Sequence, residues 1–94
     1  MIDFSGQTVA VTGGCGTLGK AMSIRLEELG AKVLLLDRES SNPKKIADEL
    51  STSNRITGIQ VDITDEVNVV DIFQEISVTY GALHAVINSA AATG

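Results

Sequence analysis

The 94 residues suffice for one small domain, and 44% hydrophobic with 20% charged residues is the balance of a soluble globular chain. Twelve acidic against seven basic side chains leave a net charge of −5, which argues against nucleic acid as a bulk electrostatic partner, since that would need a basic face. A single cysteine, Cys15, leaves no internal disulfide and points to a reducing compartment. The opening MIDFSGQTV has no basic or long apolar leader region, and the longest apolar run, KVLLLD, is too short for a bilayer, so a cytoplasmic chain without a membrane partner is expected.

Aromatic residues are only 3%, so the core must be aliphatic. The first strand is expected at QTVAVT (7–12), a continuous apolar run of the type buried on both faces of a sheet. A helix follows over about 17–29, with Leu18, Met22, Leu26 and Leu29 as its apolar stripe and Gly30 as its stop. AKVLLLD (31–37) is the second strand, and RESSNP (38–43) is a polar surface loop. The second helix, about 43–51, opens on Asn42 as cap and Pro43 at its first position, with Ile46, Ala47 and Leu50 toward the sheet. ITGIQVD (56–62) is the third strand. The third helix, about 65–80, has Thr64 as cap, Asp65 and Glu66 in its first turn, and Val69, Ile72, Phe73, Ile76 and Tyr80 as its stripe, with Gly81 ending it. HAVINS (84–89) is the fourth strand.

Strands alternating with helices imply an α/β fold with parallel strands and right-handed crossovers, in the order 3-2-1-4. The first two helices then cover one face and the third alone covers the other. The fourth strand is left as an edge, so the doubly wound sheet reads as incomplete and the chain as the N-terminal part of a longer enzyme.

The segment VTGGCGTLGK (11–20) carries Gly14, Gly16 and Gly19 in a G-x-G-x-x-G pattern, directly after a buried-type strand and at the start of a helix. In that setting the first glycine permits a tight turn. The second lets a pyrophosphate approach the backbone, and the third lets helix and sheet pack closely. The helix N-terminus supplies N–H groups and partial positive charge, so an acidic protein can still bind an anion there.

Asp37, 18 residues after Gly19, ends the second strand, where a carboxylate can accept from an adenosine ribose and repel a 2′-phosphate; NAD is expected over NADP. Arg38 reads as a solvated loop arginine, or else as a host for that phosphate. Asp62 ends the third strand and either accepts from an adenine amino group or caps the turn. Cys15 lies near a helix N-terminus, where a thiolate would be stabilised, but as a lone thiol it reads as a loop filler. Tyr80 reads as a packing residue and His84 as a surface or packing histidine.

Together TGGCGTLG, LLLD, VDITD and YGALHAVINSAA resemble the short-chain dehydrogenase/reductase family in order and spacing over essentially the whole chain. The resemblance implies a Rossmann-type fold and an NAD(P)-dependent oxidoreductase that moves hydride between a secondary alcohol or ketone and nicotinamide. It also implies a homo-oligomer. Carried over by position, Gly13, Gly14, Gly16, Thr17, Leu18 and Gly19 line the pyrophosphate and nicotinamide side. Asp37 holds the adenosine ribose with Arg38 beside it, and Asp62 and Ile63 flank adenine. Asn88, Ser89, Ala90 and Ala91 run beneath the ribose next to nicotinamide.

Thr17 stands where the shorter branch of the family has glycine, and Gly16 fits the longer branch of nucleotide-sugar epimerases and dehydratases. The length of the third helix and the turn after it favour the shorter branch. Ser89 and Ala91 replace the second Asn and the Gly of the family's NNAG. Tyr80 is followed four residues on by His84, so the family's Tyr-x-x-x-Lys is not among these residues and no catalytic residue is assigned. The alternative from another class is a non-catalytic dinucleotide-binding or interaction module, with the bare sheet face as its partner surface.

Overall fold

A computed structural model describes residues 2–89. Four strands, β1 (Thr8–Thr12), β2 (Lys32–Asp37), β3 (Ile56–Gln60) and β4 (Ala85–Asn88), alternate with helices α1 (Thr17–Glu28), α2 (Pro43–Leu50) and α3 (Glu66–Tyr80). A short 3-10 turn, Glu39–Ser41, precedes α2. All pairings are parallel and the order is β3-β2-β1-β4. The expected Rossmann-type α/β topology is therefore what the chain forms.

The strands read as continuous apolar runs because each face of the sheet meets helices. Alternate residues feed two cores. Val9, Val11, Val33, Leu35 and Ile56 join Ala31 and Ala47 on the side of α1 and α2, with Leu26, Ile46 and Leu50 packed against them. Ala10, Leu34, Leu36 and Val61 meet Ile76 of α3 on the other side, with Val69, Ile72, Phe73 and Tyr80 around them. The expected stripe of α3 is thus the face that packs. β4 is the sheet's edge among the described residues, and Val86 on it is 52% exposed.

Two helix expectations need correction. The apolar stripe of α1 is out of phase: Leu18 is 62% exposed, whereas the buried residues are Gly19, Ser23 and Glu27. The helix runs so close to the β1 turn that Gly19 has no room for a side chain, and Leu26 alone of the expected four joins the neighbouring core cluster. At α3, the cap is Asp65 rather than Thr64. Asp65 Oδ1 accepts from the Asn68 N–H at 3.2 Å, while Thr64 donates its N–H and hydroxyl to Asp62 Oδ1. Asn42 holds the cap position of α2 through a left-handed backbone, φ 51°, and makes no side-chain cap bond.

Glu27 is the unexpected member of the interior. It is 2% exposed, at the last turn of α1. Its carboxylate accepts from Ser51 Oγ at 2.6 Å, from the Thr52 and Arg55 N–H groups at 3.0 Å each, and from the Ser53 N–H at 3.4 Å. Arg55 also donates from its guanidinium to the Glu27 carbonyl at 2.9 Å. One side chain thereby fixes the α2–β3 connection to α1. Burial pushes its pKa up, but the donors from Ser51, Thr52, Arg55 and Ser53 outweigh burial and hold it at about 2 instead of 4.5.

A depressed folded-state pKa gives stability that is present above the unfolded value and lost as pH falls toward the folded one. Glu27 should contribute about 3 kcal/mol at neutral pH, disappearing between roughly pH 4.5 and pH 2. Glu27→Gln should lower urea-unfolding stability at pH 7 by about 2–3 kcal/mol, and the gap to the wild type should close as the pH approaches 2. An unchanged gap at low pH would show that the charge has no part in it.

Candidate functional site

The carboxyl ends of the four strands gather the residues singled out above, and each strand delivers one part. β1 runs into Gly13, whose φ of 65° lies in the left-handed region and makes the turn. Gly14 then continues the ladder, its N–H donating to the Leu36 carbonyl at 3.1 Å. A Cβ on Gly14 would stand 2.5 Å from Leu35 Cγ, so this glycine is required by packing against β2. On Gly19 a Cβ would lie 2.5 Å from the Gly13 oxygen and 2.7 Å from Gly14 Cα. The close approach of helix and turn therefore happens at Gly19, as the spacing implies, and the tight turn is made at Gly13 rather than Gly14.

Gly16 differs from both. It is exposed, and a Cβ there would meet nothing nearer than the Gly13 oxygen at 3.4 Å. It is the N-cap of α1, with no side-chain cap and no acidic residue in the first turn. The helix thus begins with backbone donors facing outward and no carboxylate of its own in that turn. Thr17 and Leu18, both exposed, flank this opening.

Asp37, at the end of β2, is drawn into the same place. Its Oδ2 accepts from the Cys15 N–H at 2.9 Å and its Oδ1 from the Arg38 N–H at 2.8 Å. Two backbone donors hold the carboxylate plane, and each oxygen keeps further lone pairs. Burial, the adjacent Asp37 charge and a hydrogen bond with Asp37 push the Cys15 thiol up to about 11, with Lys20 opposing. Cys15 is therefore a neutral thiol, and the helix N-terminus does not stabilise a thiolate there.

Beyond β3, Asp62 Oδ1 is closed into a turn by the Thr64 hydroxyl at 2.6 Å and N–H at 3.0 Å, which keep its carboxyl below the usual range. The Asp62 N–H donates to Asn68 Oδ1 at 2.7 Å. An open cleft of about 740 Å³ runs between Arg38, Glu39, Ser40, Gln60, Asp62 and Asn68. Ile63, 62% exposed, adjoins Asp62. Gln60 and Asn68 were not expected here. Asn68 is legible only as the third residue after the Asp65 cap, where one side chain serves both the turn and the helix start.

On the other flank, β4 brings Asn88 and Ser89 against β1. Thr12 Oγ1 donates to Asn88 Oδ1 at 3.0 Å, and Ser89 Oγ donates to the Thr12 carbonyl at 2.6 Å. Ala90 and Ala91 lie outside the described residues. Tyr80 packs in the α3 core with Lys32 Nζ 5.5 Å from its ring centre. His84 Nδ1 accepts from the Thr8 N–H at 2.9 Å, at the amino end of β1 and away from the glycine turn. Neither is placed for chemistry at the site.

The sequence model of the short chain dehydrogenase family matches residues 7–94. The chain belongs to this family. Among its relatives, the short chain dehydrogenase/reductase dpchG of Colletotrichum higginsianum is 35% identical over 88 residues, covering 93% of this chain and 33% of the relative. Two solved structures share the fold. A Pseudomonas aeruginosa RhlG/NADP active-site complex matches with a TM-score of 0.85 at 24% identity, over 94% of this chain and 36% of that one. A 3-ketoacyl-(acyl-carrier-protein) reductase from Brucella melitensis complexed with NADH matches with a TM-score of 0.78 at 23% identity, over 89% and 34%. The chain spans about a third of the length of these relatives. No helix among the described residues is long and apolar enough to cross a membrane.

Gly16 and Gly19 should separate on substitution. Gly19→Ala forces a Cβ into backbone and should lower the melting temperature by about 5–15 °C, equivalent to about 1–3 kcal/mol. Gly16→Ala, with φ −74° and open space, should change stability by less than about 0.5 kcal/mol. Calorimetric melting of both variants checks the order; equal losses would contradict it.

Proposed function

We propose that this chain is the NAD-binding part of an oxidoreductase that transfers hydride between nicotinamide and a secondary alcohol or ketone. The observation that carries the reading is the pairing of Asp37 with the Cys15 N–H at 2.9 Å, beside a helix start with no carboxylate in its first turn. That arrangement supports a dinucleotide with its pyrophosphate on Gly16, Thr17 and Leu18 at the start of α1 and its adenosine ribose hydroxyls on Asp37. Gly16 leaves open space beside the start of α1, and the cleft between Arg38 and Asp62 is the place for adenine. When bound, the cofactor supplies the hydride acceptor or donor.

The preference for NAD rests on Asp37, whose carboxylate is held by two backbone donors at the end of β2 and would oppose the charge of a 2′-phosphate on an adenosine ribose bound beside it. Arg38 lines the neighbouring cleft and is the residue that could favour the phosphate instead. Structural neighbours carry NADP in one case and NADH in another, so the family alone does not choose. No catalytic acid or base is assigned within residues 1–94.

Isothermal calorimetry with NAD, NADP and ADP provides the test. NAD should bind at least about tenfold more tightly than NADP, and Asp37→Ser should erase or invert that ratio and weaken ADP in step with NAD, because both carry the adenosine ribose. Equal affinity of the wild-type protein for NAD and NADP would remove the assigned preference. Failure to bind any of the three would remove the dinucleotide reading itself.

A further inference from the structure

Ser89 ends β4 with an unusual set of bonds. Its N–H donates to the Thr12 carbonyl at 3.1 Å, as the parallel ladder requires, and its hydroxyl donates to the same oxygen at 2.6 Å. The hydroxyl also lies within 3.3 Å of the Gly13 carbonyl. Gly13 is the left-handed residue of the turn, and its carbonyl in turn accepts the Gly16 N–H at 3.1 Å. The Gly16 carbonyl then accepts the Lys20 N–H at 2.9 Å, the first bond of α1. From the helix side, a Cβ on Gly19 would stand 2.8 Å from Ser89 Oγ, so the hydroxyl fills the gap between strand end, turn and helix.

We propose that Ser89 is a positioning residue for the glycine turn: its hydroxyl anchors the Thr12 and Gly13 carbonyls and so fixes where the Gly16 N–H and the first turn of α1 point, without itself touching a cofactor. The proposal rests on the dinucleotide reading above. Its physical motive is entropic. A turn of Gly13, Gly14 and Gly16 has more unfolded and alternative conformations than any other segment of this length. A donor from the neighbouring strand narrows them before a ligand arrives, which lowers the ordering cost of binding. This differs from a place beneath the nicotinamide ribose, because the hydroxyl is already engaged by the Thr12 carbonyl at the end of β1 at 2.6 Å, with the Gly13 carbonyl of the turn 3.3 Å away.

The two roles separate by ligand. Ser89→Ala in the full-length chain should weaken NAD and ADP alike, each by about fivefold to tenfold, since both engage the turn through a pyrophosphate. The melting temperature should move by less than about 5 °C, and Ser89→Thr should restore binding. In the ligand-free protein, exchange of the Gly16 amide should quicken several-fold in Ser89→Ala relative to amides of β2. If Ser89→Ala weakens NAD but not ADP, the hydroxyl serves the nicotinamide half and the proposal is wrong. It is equally wrong if affinity and Gly16 exchange stay at wild-type values, or if Ser89→Thr fails to rescue. Should Ser89→Ala not fold, Ser89→Cys keeps the volume with a poorer donor and takes its place. Wild-type protein that binds neither NAD nor ADP would sink the dinucleotide reading, while Gly16 exchange would still decide the role of Ser89.

Discussion

The approach of α1 to the β1 turn at Gly19 is the constraint on which the rest of this chain depends. The helix can start directly above the strand only because the Gly13 oxygen and Gly14 Cα occupy the volume a side chain at Gly19 would need. That contact sets the distance of α1 from the sheet. It also explains why the helix buries Ser23 and Glu27 further along the same face instead of large apolar side chains. A bulkier interface would lift α1 away from β1 and carry its first turn, with the Gly16 cap, out of reach of Asp37 and Ser89.

Small contact residues have a cost in buried apolar area. The Ser23 hydroxyl is buried and without a hydrogen-bond partner among the described residues. The neighbouring Glu27 is the opposite case, with its carboxylate saturated by Ser51, Thr52, Ser53 and Arg55. Buried charge is tolerable when every lone pair is met, and here the donors are backbone and hydroxyl groups of the α2–β3 connection rather than a counter-ion. Polar bonds therefore anchor the far end of α1, while backbone packing holds the near end.

The topology was legible because it depends on period and punctuation. Buried parallel strands show as short apolar runs, and glycine or proline brackets the helices, so β1 to β4 and their order could be read before any coordinates. Gly14, Gly16 and Gly19 were legible as a set, yet their separate tasks were not, because spacing does not reveal that Leu35 blocks a side chain at Gly14 while Gly16 opens to solvent. The α1 stripe was misread for a related reason. Hydrophobicity marks the buried face only where packing is by apolar side chains, and this helix instead buries Gly19, Ser23 and Glu27. Glu27 was hidden because its donors lie 24–28 residues further along the chain. Asp37 was placed from sequence, but its bond to the Cys15 N–H depends on how the turn folds back across the end of β2.

The two ends of the sheet are built to opposite specifications. At the amino end, three polar side chains are tied to protein partners: Glu27 is saturated, His84 Nδ1 accepts from the Thr8 N–H, and Lys32 donates to Thr57 Oγ1 at 2.7 Å with its Nζ 5.5 Å from the Tyr80 ring centre. At the carboxyl end, the carboxylate of Asp37 retains lone pairs, the α1 cap has no side chain, and Gly16 faces open space. A net charge of −5 would repel a pyrophosphate over long range, so in the dinucleotide reading proposed above the attraction has to be local, from aligned backbone dipoles within one helical turn. That is possible only if the backbone there is held still, and the rigid amino end cannot do it across the length of the strands. The restraint has to come from beside the turn, from the strand end on one side and Asp37 on the other. Ser89 and Asp37 flank the glycine segment and bond its backbone from opposite sides.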